Sequence, residues 1–395
     1  MITGTQFTRF CAAVRADADA ARRNYELLER LLDDNDVKYG TITYSPEMTP
    51  AVFTAAERAV LQSAAEQVVH AAECFTEMVV ADHVLLSGLG FTAAFADLVR
   101  APSGYGRNIP CARFDSVLDG DRLTFIELNT DGCSGMTNAD MLNELHLRVF
   151  GARSDYGLDG VWFDRAVPQV LDTLCDCYSR FREQHPASAL PTEPVIGILD
   201  LPGEATSWEF EAIVRACAAR GLQARIVTPA QAQFDGRVLR FGDTPVHVIY
   251  RRLLGSDYQA QLAQLAPISA AFLARRVCMV GAPRSQIAFN KKLFAYLHEP
   301  TVLERLPDAA AAAVQRHVPW TRALQPMRTS FHGERIDLLP FVRAHPSRFV
   351  LKPCVSKLGQ GIIQGPYVEQ HEWEHALRQA GDADYIVQEF VTMPA

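Results

Sequence analysis

A chain of 395 residues, 48% of them apolar and 21% charged, is long enough to bury a large core and to form two or three subdomains. Its formal net charge of −8, with no long basic run, argues against nucleic acid as the main partner. No run of about 18 apolar residues occurs and the N-terminus lacks a secretory apolar region, so no membrane partner is expected; nine cysteines without a C-x-x-C pair read as reduced thiols in a cytoplasmic protein.

Phe7–Leu32 and Thr54–Leu98 carry apolar residues at helical spacing, which predicts helices separated by Pro46 and Pro50. Their expected work is structural, as a cap over the core or a face between copies in a homo-oligomer. Pro102-Ser103-Gly104-Tyr105-Gly106 breaks the pattern, and Ile109–Val117 predicts the first strand.

Arg113-Phe114-Asp115 and Phe125-Ile126-Glu127-Leu128-Asn129 alternate polar and apolar around Asp119-Gly120-Asp121. That pattern predicts a β-hairpin. A three-residue loop at Gly120–Arg122 sets Asp115 opposite Glu127 and leaves Asn129 on the same face. Facing carboxylates repel, and a hard divalent cation removes the repulsion. Two carboxylates with an amide oxygen suit Mg²⁺. The same spacing also fits a surface hairpin with solvated acids.

Gly132–Gly135 leads into a helix predicted over Asn138–Phe150. Its backbone N–H groups could bind an anion or simply open the helix. Trp162–Gln184 predicts another helix and Pro186–Pro194 a linker. Pro194–Leu201 reads as a buried strand, Gly203–Thr206 as a turn, Ser207–Gly221 as an amphipathic helix and Leu222–Val227 as the next strand. Val238–Leu239 and Val246–Tyr250 are further strand candidates. This is a strand–helix–strand unit on a parallel sheet. Ligands of such sheets bind beyond the carboxyl ends of the strands. Glu204, Ser207, Glu209, Arg251 and Arg252, with Ser134 of the glycine loop, are therefore candidate substrate contacts. Pairing with surface acids is the other reading of the two arginines.

Ile268–Leu297 reads as mostly helical around a central loop, with Asn290-Lys291-Lys292 at a helix start. A lysine there opposes the helix dipole unless an anion such as phosphate lies between. A solvated lysine pair is the alternative. Phe349–Leu351 predicts a strand ended by Lys352-Pro353, followed by a loop over Ser356–Gly361 and a strand resuming at Ile362–Ile363. Gly359, Gln360 and Gly361 could cradle a triphosphate with backbone N–H donors, or form a plain hairpin turn. Lys352 could meet phosphate as a point charge. Tyr385–Phe390 predicts an apolar strand carrying Gln388 and Glu389. His371-Glu372-Trp373-Glu374-His375 matches the zinc-hydrolase pattern H-E-x-x-H, but Trp373, Ala376, Leu377 and Ala380 form the apolar stripe and turn the histidines to water.

In order, RFD…IELN, FNKKL, FVLKP…GQG and YIVQEF resemble the motifs of circularly permuted ATP-grasp enzymes, in particular glutathionylspermidine synthase-like carboxylate–amine ligases. Pro194–Arg252 and Arg316–Thr321 also look like that family, and the resemblance runs from Ile109 to the end. It implies an α/β (α+β) chain: a circularly permuted ATP-grasp fold with a preATP-grasp-like parallel sheet unit and an N-terminal helical region. The implied parts are 1–108, helical; 109–190, the metal-binding hairpin and helices; 191–285, the substrate unit; and 286–395, the nucleotide-binding subdomain.

By the same resemblance, Asp115, Glu127 and Asn129 match magnesium ligands, and Arg113 an arginine that stabilises the acyl phosphate and tetrahedral species. Lys291 and Lys352 match lysines on the phosphate and adenine side, and Gly359–Gly361 the loop over the triphosphate. Gln388, Glu389 and Phe390 match adenine and ribose contacts. The implied cofactors are ATP and Mg²⁺, and the implied partners a small carboxylate and an amine joined through an acyl phosphate. Relatives more often carry Lys or Arg where this chain has Gln360. They also continue beyond the position of Ala395, so a second reading is a nucleotide-binding pseudoenzyme or assembly partner.

Overall fold

The computed structural model describes residues 5–39, 42–203, 207–356, 359–381 and 383–393. The chain divides into two compact units.

The first comprises Met1–Ala59, Pro102–Cys111 and Gly132–Ala282. Where the periodicity predicts one helix near the N-terminus, two form, Thr5–Ala16 and Ala18–Asp34. Asp17 separates them: its side chain accepts from Ala20 N at 2.9 Å, an N-cap that starts a new helix. Phe10, Leu28 and Leu32 pack with Leu145, Val149 and Phe150 of helix Met136–Phe150.

The parallel sheet of this unit has four strands in the order Cys278–Val280, Val248–Arg251, Val195–Leu199, Gln223–Val227. All neighbours run parallel. Helices Ser207–Ala219 and Ala166–Gln184 cover it, burying Phe210, Ile213, Leu174 and Phe181 against Ile196, Ile198 and Val248. The expected strand–helix–strand unit is present. Cys278–Val280 corrects the helical reading of Ile268–Leu297. Three apolar residues are too few to show a period, so strand and buried helix look alike in sequence.

The second unit comprises Val60–Ala101, Ala112–Asp131 and Pro283–Ala395. The sequence region 109–190 is thus shared between the units, its hairpin in the second and its helices in the first, while 286–395 lies wholly in the second. An antiparallel sheet of four strands runs in the order Thr321–Ala323, Tyr385–Glu389, Phe349–Pro353, Ile363–Gln364. Its core is Trp320, Phe331, Phe349, Leu351, Trp373 and Val387. Helix Gln370–Gly381 buries Trp373, Ala376, Leu377 and Ala380, and His371 and His375 lie on its exposed face.

Strands Arg113–Asp119 and Arg122–Asn129 form the expected hairpin. Asp115 pairs with Glu127 and Arg113 with Asn129. The turn is tighter than the three-residue loop expected: Asp119 pairs with Arg122 around Gly120-Asp121, and Gly120 has φ 60°. A bulge after Asp115 restores the register, because Ser116 pairs with Phe125 and leaves Ile126 as the extra residue. The apolar face is fixed by Phe114 stacked on Phe125 at 4.1 Å.

Among the described residues, no helix is long and apolar enough to cross a membrane, and all nine cysteines are free thiols.

Candidate functional site

The site is assembled in the second unit from four chain segments. The hairpin contributes Asp115, Glu127 and Asn129 on one face. Thr130, just after it, donates to Ser285 O at 2.8 Å, which ties the hairpin's end to the segment leading to Lys291. The Lys291 backbone N–H donates to Cys354 O at 2.9 Å, tying that segment to the end of strand Phe349–Pro353. Lys352, on that strand, returns to the hairpin by donating from Nζ to Ile126 O at 2.9 Å. The bulge residue therefore offers its carbonyl to a catalytic candidate instead of to the ladder.

Lys291 precedes helix Lys292–Leu297, as its sequence context suggests. Its Nζ lies 3.3 Å from Glu127 Oε1 and donates to Ser356 O at 3.4 Å, at the base of the glycine loop. The pair is enclosed: the lysine side chain is 6% exposed and the glutamate 18%. Lys352 is also buried, and its Nζ donates to Gln388 Oε1 at 2.8 Å. Burial lowers its pKa from 10.5 to about 8, with Lys291 adding to the fall and Glu127 and Asp115 opposing it. Gln388 in turn donates to Thr321 Oγ1 at 3.1 Å. Thr321 closes the Arg316–Thr321 segment that looks like the family, but only strand pairing sets it opposite Gln388.

Asp115 and Arg113 are half-exposed, and Arg113 Nε donates to Asp115 Oδ1 at 3.1 Å. The Asn129 amide lies among Asp115, Glu127 and Arg113. As placed, its nitrogen is 3.4 Å from Asp115 Oδ1 and its oxygen faces the Glu127 carboxylate. Turning the amide end for end converts the contacts with Glu127 and Arg113 into hydrogen bonds of 3.2 Å each. Among the described residues no cluster of three or more His, Cys, Asp or Glu forms. Two carboxylates and one amide oxygen fit Mg²⁺, which takes few protein ligands and fills its shell with water and phosphate.

Gly359 and Gly361 have φ of 70° and 74°, and Gln360 between them is exposed. Gly361 O accepts from Tyr385 Oη at 3.3 Å. Glu389 ends the strand that carries Gln388; its Oε1 lies 2.8 Å from His332 Nε2. The next residue, Phe390, donates its backbone N–H to Arg348 O at 2.8 Å. His332 carried no weight in the sequence, although His332-Gly333 between alternating residues is a hairpin-turn signal.

The remaining candidates lie in the first unit. Glu209 and Arg252 form a buried ion pair, Oε1 to the guanidinium at 2.5 Å, with side chains 3% and 1% exposed. The other carboxylate oxygen accepts from Gly135 N at 2.8 Å and Thr137 Oγ1 at 3.1 Å. Of the two readings of Gly132–Gly135, the loop opens helix Met136–Phe150, and the anion its backbone meets is the protein's own carboxylate. Arg251 is buried and donates to Gly281 O at 2.5 Å and Leu253 O at 2.7 Å. Arg252 meets a buried acid rather than a surface one, and Arg251 donates to these two backbone carbonyls. Gly132 packs so closely on the Arg252 carbonyl that a Cβ could not be accommodated. Ser134 is half-buried in this loop. Glu204 lies outside the described residues, as does the side chain of Ser207.

No family model matches the chain, and no curated protein matches it. Among solved structures it is similar to a glutathione synthetase-like effector from Globodera pallida, with a TM-score of 0.61 and 14% identity over 94% of this chain and 81% of that one. At that identity the likeness is one of fold: this chain has a mixed α/β architecture similar to a glutathione synthetase-like protein.

Proposed function

We propose that the protein is an ATP-dependent carboxylate–amine ligase of the circularly permuted ATP-grasp type, acting on small amino-acid or peptide substrates. The observation that carries this reading is the convergence of Glu127, Lys291, Lys352 and Gln388, from four separate motifs, within one unit: Lys291 meets Glu127, and Lys352 meets Gln388 and the carbonyl of Ile126 next to Glu127. The glutathione synthetase-like fold supports it.

Asp115, Glu127 and Asn129 would hold Mg²⁺, which when bound neutralises charge on the nucleotide phosphates. Lys291 and Lys352 would exchange their present oxygen partners for phosphate oxygens; both are already desolvated, so their charges act in a medium of low dielectric constant. The substrate carboxylate attacks the γ-phosphorus of ATP, the bond to the bridging oxygen breaks, and ADP leaves. The amine then adds to the acyl carbon, phosphate departs, and the nitrogen loses a proton as the amide forms. Arg113 would donate where oxyanion charge develops, a contribution of about 3 kcal/mol for one such donor. The Gly359–Gly361 loop would exclude water that hydrolyses acyl phosphates. Gln388, Glu389 and Phe390 would contact adenine and ribose.

Glu209 and Arg252 are assigned to shaping the 132–135 loop, and Ser134 within that loop is the residue proposed to meet a substrate. The reaction is placed in the cytoplasm, in keeping with nine free thiols.

The test is a panel of amino acids, peptides and amines screened for stimulated ADP and phosphate release with Mg²⁺, with product masses read directly. ADP release that requires both an acid and an amine, with an amide-mass product, is the expected result. Tight ATP binding without turnover on any pair would favour the assembly-partner reading.

A further inference from the structure

The hairpin Arg328–Phe331 and Glu334–Asp337 turns through His332-Gly333, with Phe331 paired to Glu334. Both turn residues have positive φ, 47° for His332 and 87° for Gly333. A two-residue turn of that kind favours Asn-Gly or Asp-Gly, because an L residue with a bulky side chain is disfavoured there. A histidine tolerates positive φ better than most L residues, and here its ring makes a further contact.

That contact is Glu389. His332 Nε2 lies 2.8 Å from Glu389 Oε1, with the histidine side chain 59% exposed and the glutamate 26%. The hairpin is fastened to the sheet behind it. Trp320 Nε1 donates to Ser330 O at 2.8 Å, and Arg322 Nε donates to Thr329 Oγ1 at 2.8 Å. Phe331 packs edge-on against Trp320 at 5.0 Å. The imidazole is therefore held at a fixed point over the end of strand Tyr385–Glu389.

We infer that His332 is a positioning residue for nucleotide recognition. It holds the Glu389 carboxylate through one oxygen, so that the other accepts from a ribose hydroxyl. Without the imidazole, Glu389 is a rim side chain with several rotamers, and its ordering must come from binding energy. This rests on the proposed reading, in which the Gln388–Phe390 segment takes the adenosine end of ATP.

The experiment measures equilibrium binding of ATP and of 2′,3′-dideoxy-ATP to the full chain, with Mg²⁺, for the wild type, H332N and E389Q. Asparagine tolerates positive φ, so H332N removes the imidazole while keeping the turn; its thermal midpoint is measured alongside. Wild-type protein is expected to favour ATP over the dideoxy nucleotide by about tenfold, the scale of one hydrogen bond to a charged group. H332N and E389Q are each expected to reduce that preference to about twofold, chiefly by weakening ATP binding. A wild-type preference retained in H332N, or no preference in the wild type, overturns the inference and leaves the ligase reading standing. No ATP binding by the wild type overturns both.

Discussion

Glu127 and Lys291 meet at 3.3 Å, although one sits on a hairpin and the other at the mouth of a helix far along the chain. Their side chains are largely withdrawn from water, so each neutralises a charge that would be costly alone. Lys291→Met should leave Glu127 beside Asp115 with no nearby ammonium except that of Lys352. Thermal unfolding is expected to show a loss of about 2 kcal/mol, below the range for a fully buried pair because Glu127 keeps some solvent access. Adding Mg²⁺ should restore part of that loss, since the cation takes over the neutralising role. A variant as stable as the wild type, and indifferent to Mg²⁺, would show the two acids do not share a cation site.

Lys352 gives a pH signature with a definite sign. Its folded pKa is about 8 against an ordinary 10.5, so between these values the unfolded chain binds more protons. Stability should therefore rise with pH through that window, by about 3 kcal/mol from this group, with the burial penalty fully present below pH 8. Lys352→Met should flatten the rise. If the wild type and the variant show parallel curves from pH 7.5 to 10, the ammonium is not desolvated as described.

Nucleotide binding should act on the same group. A phosphate beside Lys352 favours its charged form, so ATP binding near pH 8.5 should take up protons. Calorimetry in buffers of different ionisation enthalpy measures that uptake directly. The wild type is expected to bind a substantial fraction of one proton and Lys352→Met close to none.

The two loop glycines should differ when replaced. A Cβ on Gly361 would meet Pro353 Cγ at 2.8 Å and Tyr385 Oη at 2.9 Å, while among the described residues nothing lies within 4 Å of one on Gly359. Both have positive φ, so each alanine costs about 1 kcal/mol of backbone strain. Gly361→Ala should cost more, by about a further 1 kcal/mol, because proline cannot swing aside. Chemical denaturation of the two variants checks this order, and equal losses would contradict it.

Glu209→Ala should be the most destabilising of these substitutions. It strands Arg252 in the interior and removes the acceptor for Gly135 N and Thr137 Oγ1, at an expected cost of 3–5 kcal/mol. ATP affinity of whatever protein remains folded should be close to the wild type's. A stable Glu209→Ala protein with altered substrate affinity would instead assign Glu209 to the substrate.

Much of the local structure was legible in the sequence. Alternation on either side of Asp119-Gly120-Asp121 announced the hairpin, and Asp115 does stand opposite Glu127. The expected loop was one residue too long, and the bulge at Ile126 made up the difference; a bulge leaves no mark on an apolar run. The parallel sheet showed in Pro194–Val227, but its edge strand Cys278–Val280 was too short to betray a period. Long-range pairing was the part hidden from a reading by segments. Nothing near Glu209 announces Arg252, and the rule that ligands gather at strand ends made both look like substrate contacts. The same limit concealed His332, which matters only because a separate strand brings Glu389 to it.

The most direct test of the ligase reading is ADP release, measured with ATP, Mg²⁺ and the best acid–amine pair, in wild type and in Asp115→Ala/Glu127→Ala. Wild-type release that needs both acid and amine, falling in the double variant by a factor on the order of 10³, is the expected result. Release that continues undiminished in the double variant would contradict it.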